Sequence, residues 1–278
     1  MSLIWINGEI VPKRDARVAV DDRGFQFADG VYEVVRVYNG RPFTLAEHLR
    51  RLERSANAVH IGLPLAVSQL QQEISDFVQK QLPKDGMIYL QLTRGAAERN
   101  HVIPKGLKPT LLFYATPLEP LPAIGAGPGL SVTPVPDERW KRCNIKSIAL
   151  LPNILAKNAA IAAGFDDAIF IDDGLVMEAS AANFVAVIGG QVVTPPNGPK
   201  ILPGITRDKL IELNLGVVER PIRETELANA TEMFLTSSTK ELMWVSRWLD
   251  RVVSTAAGSM TCKLHEAYRN LVARAIQS

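Results

Sequence analysis

The dipeptide Asn-Gly stands twice between short apolar runs near the start of this chain, and no other feature constrains its fold as strongly. Ile4-Trp5-Ile6 and Glu9-Ile10-Val11 flank Asn7-Gly8, and residues 31–38 and 41–44 flank Asn39-Gly40. Both central residues of a two-residue hairpin turn take positive φ, which Asn and Gly tolerate and most residues do not. The chain therefore opens with antiparallel hairpins. Helical spacing follows at Leu45, Leu49, Leu52, Ala56 and Val59, and again at Leu70, Ile74, Phe77 and Val78. Residues 87–93 and 110–116 return to strand, so the opening segment reads as an α+β unit with an antiparallel sheet.

Residues 117–129, PLEPLPAIGAGPG, are rich in Pro and Gly and carry no period. They predict a linker at 118–129 between an N-terminal domain, 1–117, and a C-terminal one, 130–278. In the second part, residues 152–163 read as a helix with Pro in its first turn and Gly164 as its stop. Strands at 168–171 and 175–177 flank Asp172-Asp173-Gly174, and strands at 184–187 and 191–193 flank Gly189-Gly190. Helices are expected at 205–215 and from about 260 to 275.

Charge and composition remove several function classes. Lys plus Arg number 31 and Asp plus Glu 29, a net charge of +2, too balanced to predict a nucleic-acid or anionic-membrane partner. With 278 residues, 47% of them apolar, the chain can bury a core without disulfide or metal staples. No apolar run approaches the ~20 residues of a membrane span. The start, MSLIWINGEIVPKRD, has no signal-peptide pattern. Cys143 and Cys262 read as reduced thiols, and a cytoplasmic location is expected.

No GxGxxG, Walker loop, HExxH, CxxC or GxSxG occurs, and the His and Cys spacings predict no zinc site. In the run from Lys200 to Lys209, a Pro-Gly turn opens into a helix with Thr206 in its first turn. That arrangement can bind an anion or merely cap a helix. The hydroxyl cluster Thr236-Ser237-Ser238-Thr239 after an apolar strand carries the same ambiguity. Lys146 sits in an apolar stretch, where burial would lower its pKa for Schiff-base chemistry, or where it could snorkel to solvent. Spacing alone makes Lys157 an equal candidate. Glu178, just past a strand and before small residues, could face a ring or only a turn. Arg99 and His101, two apart, could clamp a carboxylate or be solvated loop charges.

Jointly these segments resemble a known family. DRGFQFADGVYEVVRVYNG, the stretch from Asn144 to Asn183 and ILPGITRD resemble the class IV (fold type IV) pyridoxal-phosphate aminotransferases, in order and along nearly the whole chain. Within the family the likeness is greatest to the D-amino acid aminotransferases, through LTRG, Arg99-Asn-His101 and EVVRVYNG. The resemblance implies a mixed α+β fold, with a smaller N-terminal domain and a larger C-terminal one with a barrel-like β core. It implies pyridoxal phosphate as cofactor, with amino acid and 2-oxo acid substrates and transfer of the amino group between them. Lys146 would be the Schiff-base lysine and proton shuttle, and Glu178 would pair with the pyridine nitrogen. Arg51, the backbone of Ile205 and Thr206, and hydroxyls among Ser237, Ser238 and Thr239 would hold the phosphate, and Leu202 would pack on the ring. Tyr32, Arg99 and His101 would hold the substrate carboxylate, the last two from the partner of a homodimer, and Val34 would line the substrate side. Aminodeoxychorismate lyase and L-branched-chain aminotransferase share the cofactor residues and are the alternatives.

Overall fold

The computed structural model describes residues 2–82 and 84–277. The chain divides into two compact units. The first comprises the residues up to Pro120 together with Ile145–Ala149, and the second comprises Leu121–Asn144 and everything from Leu150 onward. The short segment around Lys146 thus groups with the N-terminal unit, whereas the sequence division places it in the C-terminal one.

In the first unit, β1 (Leu3–Ile6), β2 (Glu9–Pro12), α1 (Arg23–Phe27), β3 (Gly30–Tyr38), β4 (Arg41–Pro42), α2 (Leu45–Ala58), α3 (Val67–Gln81), β5 (Gly86–Thr93) and β6 (Thr110–Pro117) follow in order. The strands form an antiparallel sheet in the order β2-β1-β6-β5-β3-β4. The Asn-Gly turns form as expected, with φ of 51° at Asn7 and 96° at Gly8, and 48° at Asn39 and 73° at Gly40. Along β3 the alternation puts Val31, Val35 and Val37 into the core with Leu49 and Leu52 of α2 and Ile74 of α3. Tyr32 and Val34 occupy the other face of the pleat and are half-buried.

In the second unit come β7 (Leu130–Pro136), α4 (Leu151–Ala162), β8 (Asp167–Asp172), β9 (Leu175–Ala179), β10 (Asn183–Ile188), β11 (Gln191–Thr194), α5 (Ile205–Glu212), β12 (Val217–Glu219), a 3₁₀ turn at Glu224–Asn229, β13 (Ala230–Ser237), β14 (Glu241–Trp248), β15 (Arg251–Val252) and α6 (Ser259–Gln277). The sheet runs β12-β11-β10-β13-β14-β7-β8-β9, and β9 pairs back onto β10. The ring β10-β13-β14-β7-β8-β9 is therefore closed, and it is the barrel-like core expected from the sequence. Val132, Ile169, Phe184, Met233, Leu235 and Val245 are among its buried apolar residues. The helix expected at 205–215 ends at Glu212, and the chain turns through Asn214 at φ 54° and Gly216 at φ 85°. No helix among the described residues is long and apolar enough to cross a membrane.

Candidate active site

Barrel closure in the second unit brings one group of candidate residues together. Glu178 on β9 pairs with Asn183 on β10, and Asn183 pairs with Thr236 on β13. Directly opposite residues on neighbouring strands share a face, so Glu178, Asn183 and Thr236 form a row. The hairpin between β9 and β10 is tight, closed by Ala179 N donating to Ala182 O at 2.8 Å. Asn183 Nδ2 donates to Glu178 Oε2 at 3.0 Å and to Leu202 O at 2.8 Å. Leu202 N donates back to both Glu178 oxygens, at 3.2 and 3.1 Å. These bonds fix the run that leads into α5. A Cβ on Gly204, the residue before α5, would collide with the Asn183 side-chain oxygen, so the close approach needs glycine.

Glu178 is buried, and Arg139 Nη1 donates to its Oε1 at 2.5 Å. Arg139 is gripped in turn by both oxygens of Asp137 and lies 4.1 Å from the centre of the Phe170 ring. Burial works against its charge, but the Asp137 hydrogen bonds and the Glu178 charge outweigh it and raise its pKa further. The helix start is open by comparison. No side chain caps α5. Thr206 is buried in its first turn, and Thr236 Oγ1 is buried without a hydrogen-bond partner among the described residues. Ser237, the last residue of β13, and Ser238 and Thr239 in the turn after it are half-buried, and Ser237 Oγ accepts from Lys240 N at 3.3 Å.

The first unit carries the lysine. Residues 145–149 run against β3: Tyr32 N donates to Lys146 O at 3.0 Å, and Ile148 N to Gly30 O at 3.1 Å. Lys146 N also donates to Ser55 Oγ of α2 at 3.2 Å. The Lys146 ammonium lies 4.2 Å from the centre of the Tyr32 ring and makes no hydrogen bond or ion pair among the described residues. Lys157, equal to it by spacing, is bound to Asp167 at 2.8 Å, so the structure separates the two. Beneath β3, Glu33 accepts from Arg51 Nε and Nη2 and from His48 Nδ1, each at 2.7 Å. Burial opposes the Glu33 charge, but Arg51 and His48 outweigh it and hold the carboxyl far below the usual range. Burial lowers the His48 pKa against the pull of Glu33.

Arg99 and His101 lie exposed on the loop between β5 and β6. The Arg99 guanidinium is 5.0 Å from the Phe27 ring centre, and the His101 ring is 5.5 Å from it.

Comparison with known proteins then decides the family. The family model for amino-transferase class IV matches residues 30–248. The chain belongs to the class IV aminotransferases. It is 37% identical to a D-alanine aminotransferase of Bacillus licheniformis over 274 residues, covering 97% of this chain and 96% of that one. It is 36% identical to a D-alanine aminotransferase of Staphylococcus aureus, covering 98% of each. Among solved structures, a branched-chain aminotransferase of Thermoproteus uzoniensis superposes with a TM-score of 0.87 at 27% identity, covering 98% of this chain and 95% of that one.

Class IV aminotransferases use pyridoxal phosphate, and the donor set of this one fits it. A phosphate dianion needs N–H groups and hydroxyls without other partners, and the uncapped start of α5 and the unpartnered Thr236 hydroxyl supply both. A protonated pyridine nitrogen needs a buried carboxylate, and Glu178 is one. Sequence reading of this aminotransferase missed Arg139 and Asn183 as the partners of Glu178, and Glu33 and His48 as the partners of Arg51, and it named Thr236 only within a hydroxyl cluster open to an anion or to capping. Arg139 carries no local signal. Glu33 carries one, because it is an acid in the core phase of β3, which is otherwise Val31, Val35 and Val37. His48 carries another, because it shares the inner face of α2 with Leu45, Leu49 and Leu52.

Proposed function

We propose that this enzyme exchanges the amino group of D-amino acids, D-alanine and D-glutamate foremost, with the oxo group of 2-oxo acids such as pyruvate and 2-oxoglutarate. The observation that carries this is identity of 36–37% to D-alanine aminotransferases along 97–98% of the chain. Pyridoxal phosphate supplies an electrophilic carbonyl carbon and an electron-withdrawing ring. Lys146 Nζ would hold the cofactor through that carbon and, once displaced by substrate, would take the proton from the donor Cα and deliver one to the acceptor Cα. Its freedom from ion pairs suits a group that must change charge state. Glu178 would face the ring nitrogen and favour its protonated form, and Arg139 and Asn183 orient its carboxylate. The Ile205 and Thr206 N–H groups, Arg51 and hydroxyls among Ser237, Ser238 and Thr239 hold the phosphate, and Leu202 packs on the ring. Tyr32, with Arg99 and His101 of a second copy, fixes the substrate carboxylate and so the face of Cα offered to Lys146, while Val34 bounds the side chain.

The working form is a homodimer in the cytoplasm. Exposed apolar residues support it in each unit: Phe25, Val102 and Ile103 in the first, and Leu151, Ile154 and Leu155 along α4 in the second. Both cysteines are free thiols, as a reducing compartment allows.

An absorption spectrum of the cofactor-loaded enzyme tests the reading. D-alanine should bleach the visible band and L-alanine should not, and Lys146→Ala should abolish the response. Bleaching by L-branched-chain substrates alone, or conversion of aminodeoxychorismate without an acceptor, would overturn it.

A further inference from the structure

We infer that Arg23, braced by Asp29, sets the position of the loop that carries Arg99 and His101, and is thereby a positioning residue for the substrate carboxylate. The inference rests on the proposed carboxylate role of that loop.

The loop leaves β5 through Gly95, whose φ is 97° and whose Cβ, if it had one, would strike the Lys108 carbonyl. Near its base, Arg23 N donates to Gly95 O at 2.9 Å and Ala97 N to Asp21 O at 3.1 Å. Further out it is exposed from Glu98 to Gly106, and its own bond is short-range, Val102 N to Asn100 Oδ1 at 2.9 Å. Between the two clamp residues, however, Arg23 Nη1 donates to Asn100 O at 2.6 Å. A hydrogen bond from a charged donor is worth roughly twice a neutral one.

Arg23 can do this because it is itself immobile. It is buried, and its Nε donates to Asp29 Oδ2 at 2.9 Å. Asp29 also receives Arg94 Nε at 2.7 Å and Nη2 at 2.8 Å, and Arg94 reaches back to Val59 O and His60 O, just beyond the end of α2. Two guanidiniums share one carboxylate, so the hub carries a surplus positive charge, and Arg23 turns it on the Asn100 carbonyl. Phe27 completes the seat: the Arg23 guanidinium lies 4.8 Å from its ring centre, and Arg99 and His101 approach the same ring. Glycine is required alongside, since a Cβ on Gly24 would collide with the Thr93 side chain. The hub therefore ties α1, β5 and the region after α2 to one carbonyl between Arg99 and His101.

A clamp displaced by an ångström loses affinity for the group it clamps, while the lysine chemistry is untouched. Arg23→Lys and Arg23→Gln should raise the KM for D-alanine roughly tenfold or more and leave kcat within about twofold. In an Arg99→Ala background, the same substitutions should add little, because the clamp is already broken. Mixed dimers with Lys146→Ala supply a readout that a merely structural defect does not move. There the site with an intact lysine belongs to the Arg23 variant, and it receives its loop from the Lys146→Ala copy. Its KM should return to the wild-type value. If Arg23→Gln does not fold, Arg23→Lys, which keeps a charge for Asp29 without the fork, carries the same comparison. An unchanged KM in the homodimeric variants, or a raised KM persisting in the mixed dimers, would overturn the inference. Failure of the functional reading would show separately, as a wild-type band that D-alanine does not bleach.

Discussion

The cluster around Glu33 and the start of α5 treat buried polar groups in opposite ways. Around Glu33, which has no solvent exposure, each carboxylate oxygen is taken up by Arg51 or His48. At α5, donors are left over: no side chain caps the helix, and the Thr236 hydroxyl is buried and unpartnered among the described residues. A closed cluster serves the fold, because removing one member leaves another charge stranded in the interior. An open one costs the cofactor-free fold something, which an incoming anion then offsets. Substitutions of Glu33 and His48 should therefore register in stability, substitutions at α5 in cofactor affinity, and substitutions of Arg51, which pairs with Glu33 and is proposed to hold the phosphate, in both.

The largest expected effect tests the closed side. Glu33→Gln should lower the unfolding free energy of the cofactor-free enzyme by about 3–5 kcal/mol, read from the urea midpoint. A midpoint equal to wild type would show that the Glu33 pairs do not hold α2 against β3. Next comes the open side. Thr206→Ala should weaken pyridoxal phosphate binding roughly ten- to hundredfold if its hydroxyl meets the phosphate, with the cofactor-free urea midpoint nearly unmoved. Thr236→Val is the sharper variant. It removes an unsatisfied buried hydroxyl, so the empty enzyme should gain up to about 1 kcal/mol while cofactor affinity falls. A Thr236→Val enzyme that loses stability and keeps its affinity would mean the hydroxyl serves the fold, and the contrast would collapse.

The contrast also explains what could be read from the sequence. Turns were legible because their chemistry is local. Asn7-Gly8 and Asn39-Gly40 take the expected positive φ, as do Asp173-Gly174 and Gly189-Gly190. The helices α2 and α3 were legible because each repeats its apolar spacing over several turns, and α4 because Pro stands in its first turn and Gly164 at its stop. The short helix Arg23–Phe27 was not, since five residues hold no period; it exists because Asp22 caps it, accepting from Gly24 N at 2.8 Å. Site residues divide the same way. Lys146 and Glu178 stood out only through family resemblance, because spacing left Lys157 equal to Lys146. What separates the two lysines is Asp167, and what braces Glu178 is Arg139, thirty-nine residues away along the chain. Such partners meet only through sheet register, which no local pattern encodes.

The smallest expected effect concerns how the closed cluster holds its charge. Burial keeps the His48 pKa below the ordinary value of 6.5 despite the adjacent carboxylate. An unfolded chain therefore accepts a proton on His48 as pH falls through about 6.5, while the folded cluster refuses it. Stability from this residue is complete above that pH and is lost progressively below it, by at most about 1.4 kcal/mol per pH unit. Glu33 acts in a separate and lower window: its contribution is intact above the ordinary carboxylate value near 4.5 and is lost only as pH falls towards its depressed folded value. Urea midpoints at pH 7.5 and 5.5 separate the two. Wild type should lose more than His48→Gln across that interval, and the difference should vanish between pH 8.5 and 7.5. A smaller loss in wild type than in His48→Gln would mean that His48 is charged inside the fold, making Glu33 the shared counter-ion of two cations. The cluster would then be held together by ion pairing throughout, with no neutral hydrogen bond completing an Arg–Glu pair.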